Sequence, residues 1–360
     1  MSKYHASDIA GMATATLDAF RKNEVTDLTS DVQKYTALSS LMKKSRFAWE
    51  GGEQFTFVFQ HDDNGSARST GMYDDDTIVV SDALGTGRVP VRHYTCNWAK
   101  DTRESIFNQG SAQIVDHLRL RDRASTLSMH KLLENDFWSK PTDSTDEDKF
   151  WGIDLAVTYP TTYTTRGFVG GNPAGFTSGY AGINHSTYPR WGNYYDVFTT
   201  VDYNDLAMKW IRASMTCDFS SPVPYAGART RGGKAWYTGQ DNLVEFDSMI
   251  RSQNDDWGYE LAAGANGTPL FRRAPINYVP QLDEALTGET DTRSDMAPYD
   301  PIYGLDWSSI KMIFFSTEWM KKTVKPSATK HTVIEVHKDI SVNMAVLDRR
   351  PQVLLSKTTE

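Results

Sequence analysis

Asp101-Thr102-Arg103-Glu104 has the form of a capping box, an N-cap acceptor followed three positions on by an acidic residue. No proline then interrupts the chain until Pro141. One helix is therefore predicted from about Thr102 to Phe137, roughly 54 Å long at 1.5 Å per residue. Its apolar positions (Ile106, Phe107, Ile114, Leu118, Leu127, Leu132) leave one face charged, so it should cross a domain with one side exposed. A rod of that length is uncommon in an ordinary enzyme domain, and it constrains everything placed around it.

The segment before it is extended. Phe55, Phe57 and Phe59 recur with period two in Glu53–Gln60, a strand signal. Asp62-Asp63-Asn64-Gly65 marks a turn, and further β-rich runs cover Thr77–Val80 and Val89–Thr95. Together these suggest a long hairpin with a polar tip and too little apolar surface to fold alone, hence an arm reaching over something else. Ahead of it lie two modestly apolar helical pieces, Ile9–Arg21 and Ser30–Lys44, which must bury their faces on a neighbouring domain or subunit.

Beyond the long helix, Thr142–Lys149 is acidic and suits a surface loop. Residues 150–235 are rich in Gly, Thr, Tyr and Asn, the chemistry of turns. Helices are expected at Tyr203–Thr216 and Gln240–Ser252, and strands at Leu270–Val279, Thr332–His337 and Val342–Leu347. The mixture predicts an α+β body.

Charge is unevenly spread over the 360 residues, whose formal net charge is −8. Residues 1–50 and 301–360 are mildly basic, while the intervening 250 carry a net −12. That argues against a sequence-reading nucleic-acid binder, which concentrates Lys and Arg on one face. Ten Trp, 17 Tyr and 16 Phe imply large buried or interfacial contact areas. Cys96 and Cys217 suit two ordinary thiols better than a disulfide framework. The N-terminus lacks the apolar core of a signal peptide, and no stretch approaches 18 uncharged apolar residues, so a soluble intracellular protein without membrane contact is expected.

Catalytic motifs fail on inspection. Gly175-Phe176-Thr177-Ser178-Gly179 has the glycines of a nucleophile elbow but Thr177 at its centre, and reads as a glycine-rich loop. Pro90 occupies the third glycine position of a dinucleotide fingerprint that would begin Gly85-Thr86-Gly87. The eight histidines are scattered; His331 and His337 make only a bare pair, and Asp74-Asp75-Asp76 lacks the spaced ligands of a calcium loop. Asp255-Asp256-Trp257 and Glu318-Trp319 set carboxylates beside aromatics, as in glycosidases, but 46 acids and 10 tryptophans produce such neighbours by chance. No enzyme, cofactor or metal is expected. The remaining features are architectural, and suit a chain whose task is to contact copies of itself.

This order of elements resembles the major capsid proteins of tailed bacteriophages, with their Hong Kong 97-type fold. Residues 1–50 look like the N-terminal arm. Residues 51–98, opening at Gly51-Gly52, look like the extended β-hairpin loop. Residues 99–150 look like the peripheral domain with its spine helix, and 151–277 like the axial domain. The run Leu270-Phe271-Arg272-Arg273-Ala274-Pro275-Ile276 looks like the strand leaving that domain. Within 278–360, Pro301–Trp307 and Val342–Arg350 look like return strands of the shared core.

The resemblance implies self-assembly into hexamers and pentamers of an icosahedral shell around double-stranded DNA, in a virion assembled in the host cytoplasm. It also implies a portal, a separate scaffolding protein (about fifty residues precede the hairpin), a decoration protein, and only weak non-specific contact with DNA. Residues 51–99 contain no lysine, only Arg68, Arg88 and Arg92, so the isopeptide cross-link of the family's founding member is not expected. Phe55 and Phe57 either pack under a neighbouring subunit or within their own chain. Arg68 and Arg88 are candidates to pair with acids across an interface, and Lys43 and Lys44 to meet acidic surfaces of neighbours or scaffold. An encapsulin-like nanocompartment is the alternative shell; a carbohydrate-active hydrolase is the alternative enzyme.

Overall fold

A computed structural model describes residues 36–44, 46–49, 51–62, 67–73, 75, 83–104, 111–160, 166–219, 233–253, 270–272, 274–283 and 299–358. The predicted helix Ile9–Arg21, all but Asp62 of the turn Asp62-Asp63-Asn64-Gly65, the run Thr77–Val80, Ile106, Phe107 and Asp255-Asp256-Trp257 lie outside these.

Chain order begins with helix α1 (Thr36–Lys44) and strands β1 (Arg46–Trp49), β2 (Gln54–Gln60), β3 (Leu84–Pro90) and β4 (Arg92–Asp101). The long helix α2 (Ser111–Phe137) and a short α3 (Ile153–Ala156) follow, then β5 (Gly167–Gly170), β6 (Asn193–Phe198), α4 (Met208–Thr216), β7 (Lys234–Thr238) and α5 (Gln240–Gln253). The remainder is β8 (Leu270–Phe271), β9 (Ala274–Tyr278), β10 (Tyr299–Asp306), β11 (Ile310–Phe315), β12 (Lys321–Pro326), β13 (Val333–Val346) and β14 (Val353–Lys357).

Two sheets carry the body. In one, β13 is the hub: β4 pairs along one side, β11 and β12 share the other, and β1 lies parallel to β11. The other runs β5-β6-β14-β10-β7-β9-β8. Helix α2, about 40 Å long, lies on the first sheet and drives its C-terminal end into the second. Its buried stripe is Ser125, Met129, Leu133 and Phe137, at four-residue spacing. Trp138 continues it, packing 5.4 Å from Tyr237 and 5.9 Å from Tyr303, while Phe137 stacks 6.1 Å from Trp307. The opposite face of the second sheet is covered by α4 and α5, where Trp210, Trp236, Phe246 and Phe271 form an aromatic cluster.

Several expectations change in detail. The capping box is not one: the β4–β13 ladder runs through Asp101, opposite Val333, and occupies its backbone. The Asp101 carboxylate instead accepts from the Arg103 amide, and Glu104 pairs with Arg121 at 2.9 Å. Leu132, placed on the apolar face, is exposed; the buried face lies one position on, at Leu133. Val89–Thr95 divides at Val91 between β3 and β4, two strands of different sheets. Thr332–His337 and Val342–Leu347 are one strand, β13, with one face open in its first half and both faces buried from Ile340 to Val346. Residues 150–235 contain the predicted glycine turns, with positive φ at Gly175, Gly179 and Gly182, but also β5, β6 and β7.

Buried polar side chains tie these layers together. Fully buried Glu134 on α2 accepts from the Ala37 and Leu38 amides of α1 (3.1 and 2.8 Å) and from Trp138 Nε1 (3.1 Å). It thereby satisfies first-turn amides of α1 that have no partner within that helix. Burial pushes its carboxyl above the ordinary range, against the downward pull of those three bonds. Arg349, equally buried, donates to the carbonyls of Ala156, Trp191 and Gly171, to Thr158 Oγ1 and to Asn193 Oδ1 at 2.6–3.2 Å. Burial lowers its guanidinium to about 10. This cage knots the glycine-rich stretch to the turn before β14.

Candidate functional site

The β2–β3 hairpin is the feature most unlike an ordinary core element. Its register pairs Phe55 with Val89, Phe57 with Gly87 and Phe59 with Gly85. A Cβ at Gly87 would lie 2.5 Å from the Phe57 ring, and one at Gly85 2.5 Å from the Phe59 ring, so glycine gives each ring room to lie flat across the neighbouring strand. Gly85-Thr86-Gly87 is therefore an aromatic seat. The seated rings form one face, which packs on the same chain: Phe57 stacks on Trp191 at 6.2 Å, and Phe59 meets Trp191 at 5.4 Å and Tyr188 at 5.6 Å. Phe55 meets Trp49 and Phe47. Phe57 retains 8% of its surface, so little of it remains to offer elsewhere.

Alternation sends the other side chains outward. Val58 is 67% and Leu84 64% exposed, diagonal neighbours on the open face beside exposed Arg88. Near the tip, Met72 and Tyr73 are almost wholly exposed, with Tyr73 at φ 71°. Arg68 donates to the Asp75 carbonyl across the tip. Lys43 and Lys44 stand at the last two positions of α1, away from the hairpin in sequence. Among the candidates, the structure thus brings Phe55 and Phe57 together on the inner face and puts Arg88 on the outer one. Val58, Leu84, Met72 and Tyr73 are not among the sequence candidates. For Val58 the sequence does carry a signal, because it holds an even position in the register of Phe55, Phe57 and Phe59.

Potential catalytic groups are engaged elsewhere. Ser341 donates to Glu318 and bonds to His93 Nδ1 at 2.6 Å. The hydroxyl belongs to a residue only 2% exposed, which closes it to a substrate. Trp319 packs edge-on against Phe314. His337 lies 3.8 Å from Glu335. Among the described residues no group of three or more His, Cys, Asp or Glu is placed to hold a metal ion, both cysteines are free thiols, and no helix is long and apolar enough to cross a membrane.

No protein-family model matches the chain, and no curated protein matches it. Solved structures do. A capsid chain of cyanophage A-1(L) superposes with a TM-score of 0.62 at 13% identity, covering 93% of this chain and 96% of its own. A capsid chain of a native GTA particle gives 0.58 at 12% identity, covering 96% and 99%, and one of an empty GTA particle gives 0.56 at 12%. The chain has the Hong Kong 97-type capsid fold. The match extends over nearly the whole of both chains, so the capsid fold accounts for both sheets, the long helix and the hairpin together, and the α+β class holds.

Proposed function

We propose that this chain is the major capsid protein of a tailed phage, building hexamers and pentamers of an icosahedral shell that encloses double-stranded DNA. The observation that carries this reading is the end-to-end match to capsid chains of two particles, at TM-scores of 0.62 and 0.58 and at least 93% coverage of either partner. On this reading residues 1–50 are the arm, 51–98 the extended loop together with the first part of β4, which has already joined the body sheet, 99–150 the peripheral domain with α2 as its spine, 151–277 the axial domain and 278–360 the return strands. The role is structural and not enzymatic.

The hairpin supplies contact surface on its outer face. The inner phenylalanines hold it against the body, so their part in the interface is to present Val58, Leu84 and Arg88 at a fixed height. Arg68 steadies the tip through Asp75. Lys43 and Lys44, at the end of α1, are the arm's candidates to meet acidic surfaces of neighbouring subunits or of scaffold. Individual contacts of this kind are modest, surface ion pairs contributing about 0–1 kcal/mol, and their number per subunit closes the shell. The partners are further copies of the chain, a portal and a decoration protein, with DNA touched weakly and without sequence preference. The mature site is the virion, assembled in the host cytoplasm.

The double substitution Val58→Asp with Leu84→Asp tests the hairpin's role. Circular dichroism should show an unchanged fold, and sedimentation should show subunits of about 40.5 kDa under conditions where the parent chain forms particles. Particles formed by this variant as readily as by the parent would remove the hairpin's outer face from the interface.

A further inference from the structure

We infer that the side-chain amide of Asn343 is the pin that fixes the angle at which the hairpin leaves the body, making it a positioning residue for assembly; the assembly part rests on the shell reading above. Backbone pairing between β13 and β4 ends at Val342 opposite Arg92. The next residue on β13 is Asn343, wholly buried, and the chain on the other side is turning at Val91 from β3 into β4. Proline at position 90 has no N–H to continue a ladder. The ladder is replaced there by a side chain.

Asn343 Nδ2 donates to the Pro90 carbonyl at 2.6 Å. Its Oδ1 accepts from the Trp151 amide at 3.0 Å and from the Met344 amide at 2.8 Å. These partners fix the orientation of the amide, since two N–H donors need the oxygen and a carbonyl needs the nitrogen. One planar group therefore joins the root of the hairpin, the hub strand and the segment leading into α3. Farther out, the hairpin touches the body through phenylalanine rings on Trp191, contacts that hold it at a set height but restrain its angle less than a hydrogen bond does. The hydrogen bond at the root is directional. Seven-residue strands reach about 23 Å, so a 10° change at the root displaces the far end by about 4 Å. A displacement of that size is enough to mismatch a packed interface.

Asn343→Asp separates the pin from the rest of the site. The aspartate keeps an oxygen for Trp151 and Met344 and sets a second oxygen against the Pro90 carbonyl. Lone pairs then face each other at neutral pH, whereas a protonated carboxyl donates to that carbonyl again. Around the site, Arg92 on β4 bonds to the Asp146 carbonyl at 3.0 Å, and the Tyr180 hydroxyl bonds to the Met344 carbonyl and the Val346 amide; neither changes charge between pH 5 and 8. The Tyr94 hydroxyl, which holds the Phe150 amide beside Trp151, donates to Asp136, a carboxyl that burial raises; this pair is common to parent and variant, so a comparison at one pH cancels it.

Hydrogen exchange on the unassembled full-length chain, read against the parent at the same pH, gives the test. At pH 7.5 peptides covering 54–60 and 84–90 of the variant should exchange at least tenfold faster than the parent's. Peptides covering α2 and β10 should agree within twofold, and the hairpin excess should shrink toward pH 5. Unchanged hairpin exchange, or equal acceleration throughout the chain, overturns the proposal. If the aspartate variant does not fold, Asn343→Leu must still loosen the hairpin more than the body, and equal loosening overturns it. Electron microscopy reads the assembly part: where the parent forms shells, the variant should give shells of altered diameter or open sheets, and shells of parental diameter overturn that part. A parent that forms no shells would contradict the capsid reading alone, leaving the exchange result as the test of the pin.

Discussion

Three buried polar side chains, Glu134, Asn343 and Arg349, each answer for backbone groups that would otherwise lie unpaired in the interior, where each costs about 1–3 kcal/mol. Glu134→Ala strands two amides of α1 and the Trp138 indole, so a loss of about 3 kcal/mol in urea unfolding is expected. Faster hydrogen exchange in 36–44 should accompany it. Because burial raises the Glu134 carboxyl, its contribution is full below the unfolded value of about 4.3 and falls as pH rises through the folded value. The advantage of the parent over Glu134→Gln should therefore be larger at pH 4 than at pH 7; a pH-independent difference would contradict the assignment. Arg349→Lys retains charge but loses the planar fork, and should cost about 3 kcal/mol through unsatisfied carbonyls. None of these roles was legible in the sequence. Their partners stand 97, 192 and 193 positions away, and a polar residue in the chain gives no sign of which distant backbone group it will meet.

At the scale of elements, the period-two phenylalanines and the proline-free run before Pro141 carry most of what the sequence discloses, because period and length are local properties. The hairpin's partner strand is harder to read, since Gly85 and Gly87 weaken strand propensity and declare their purpose only once the register opposes them to Phe59 and Phe57. The same arrangement recurs where Gly304 faces Trp236 across β10 and β7. Gly87→Ala should cost on the order of 1–3 kcal/mol by overpacking and release the hairpin to protease before the rest of the chain unfolds; a variant as resistant as the parent would refute the seat. Boundaries suffered where tertiary pairing overrode local signals, as at Asp101, whose backbone ends β4 in the ladder with β13 and does not cap a helix. Val58 and Leu84 are less conspicuous in the sequence than the aromatic residues of β2, which alternation turns inward.

For the whole molecule, the acidic middle and mildly basic ends that argue against a reader of DNA are compatible with the proposed shell reading, because an acidic surface repels phosphate. A subunit without lysine in residues 51–99 should form particles that boil in detergent to single chains, and covalent ladders on a gel would contradict this. The central claim is that the chain closes shells from copies of itself. Negative-stain electron microscopy of the purified protein addresses it directly: rings of five or six subunits, or spherical shells built from them, are expected, and a field of isolated particles the size of one 40.5-kDa chain would contradict it.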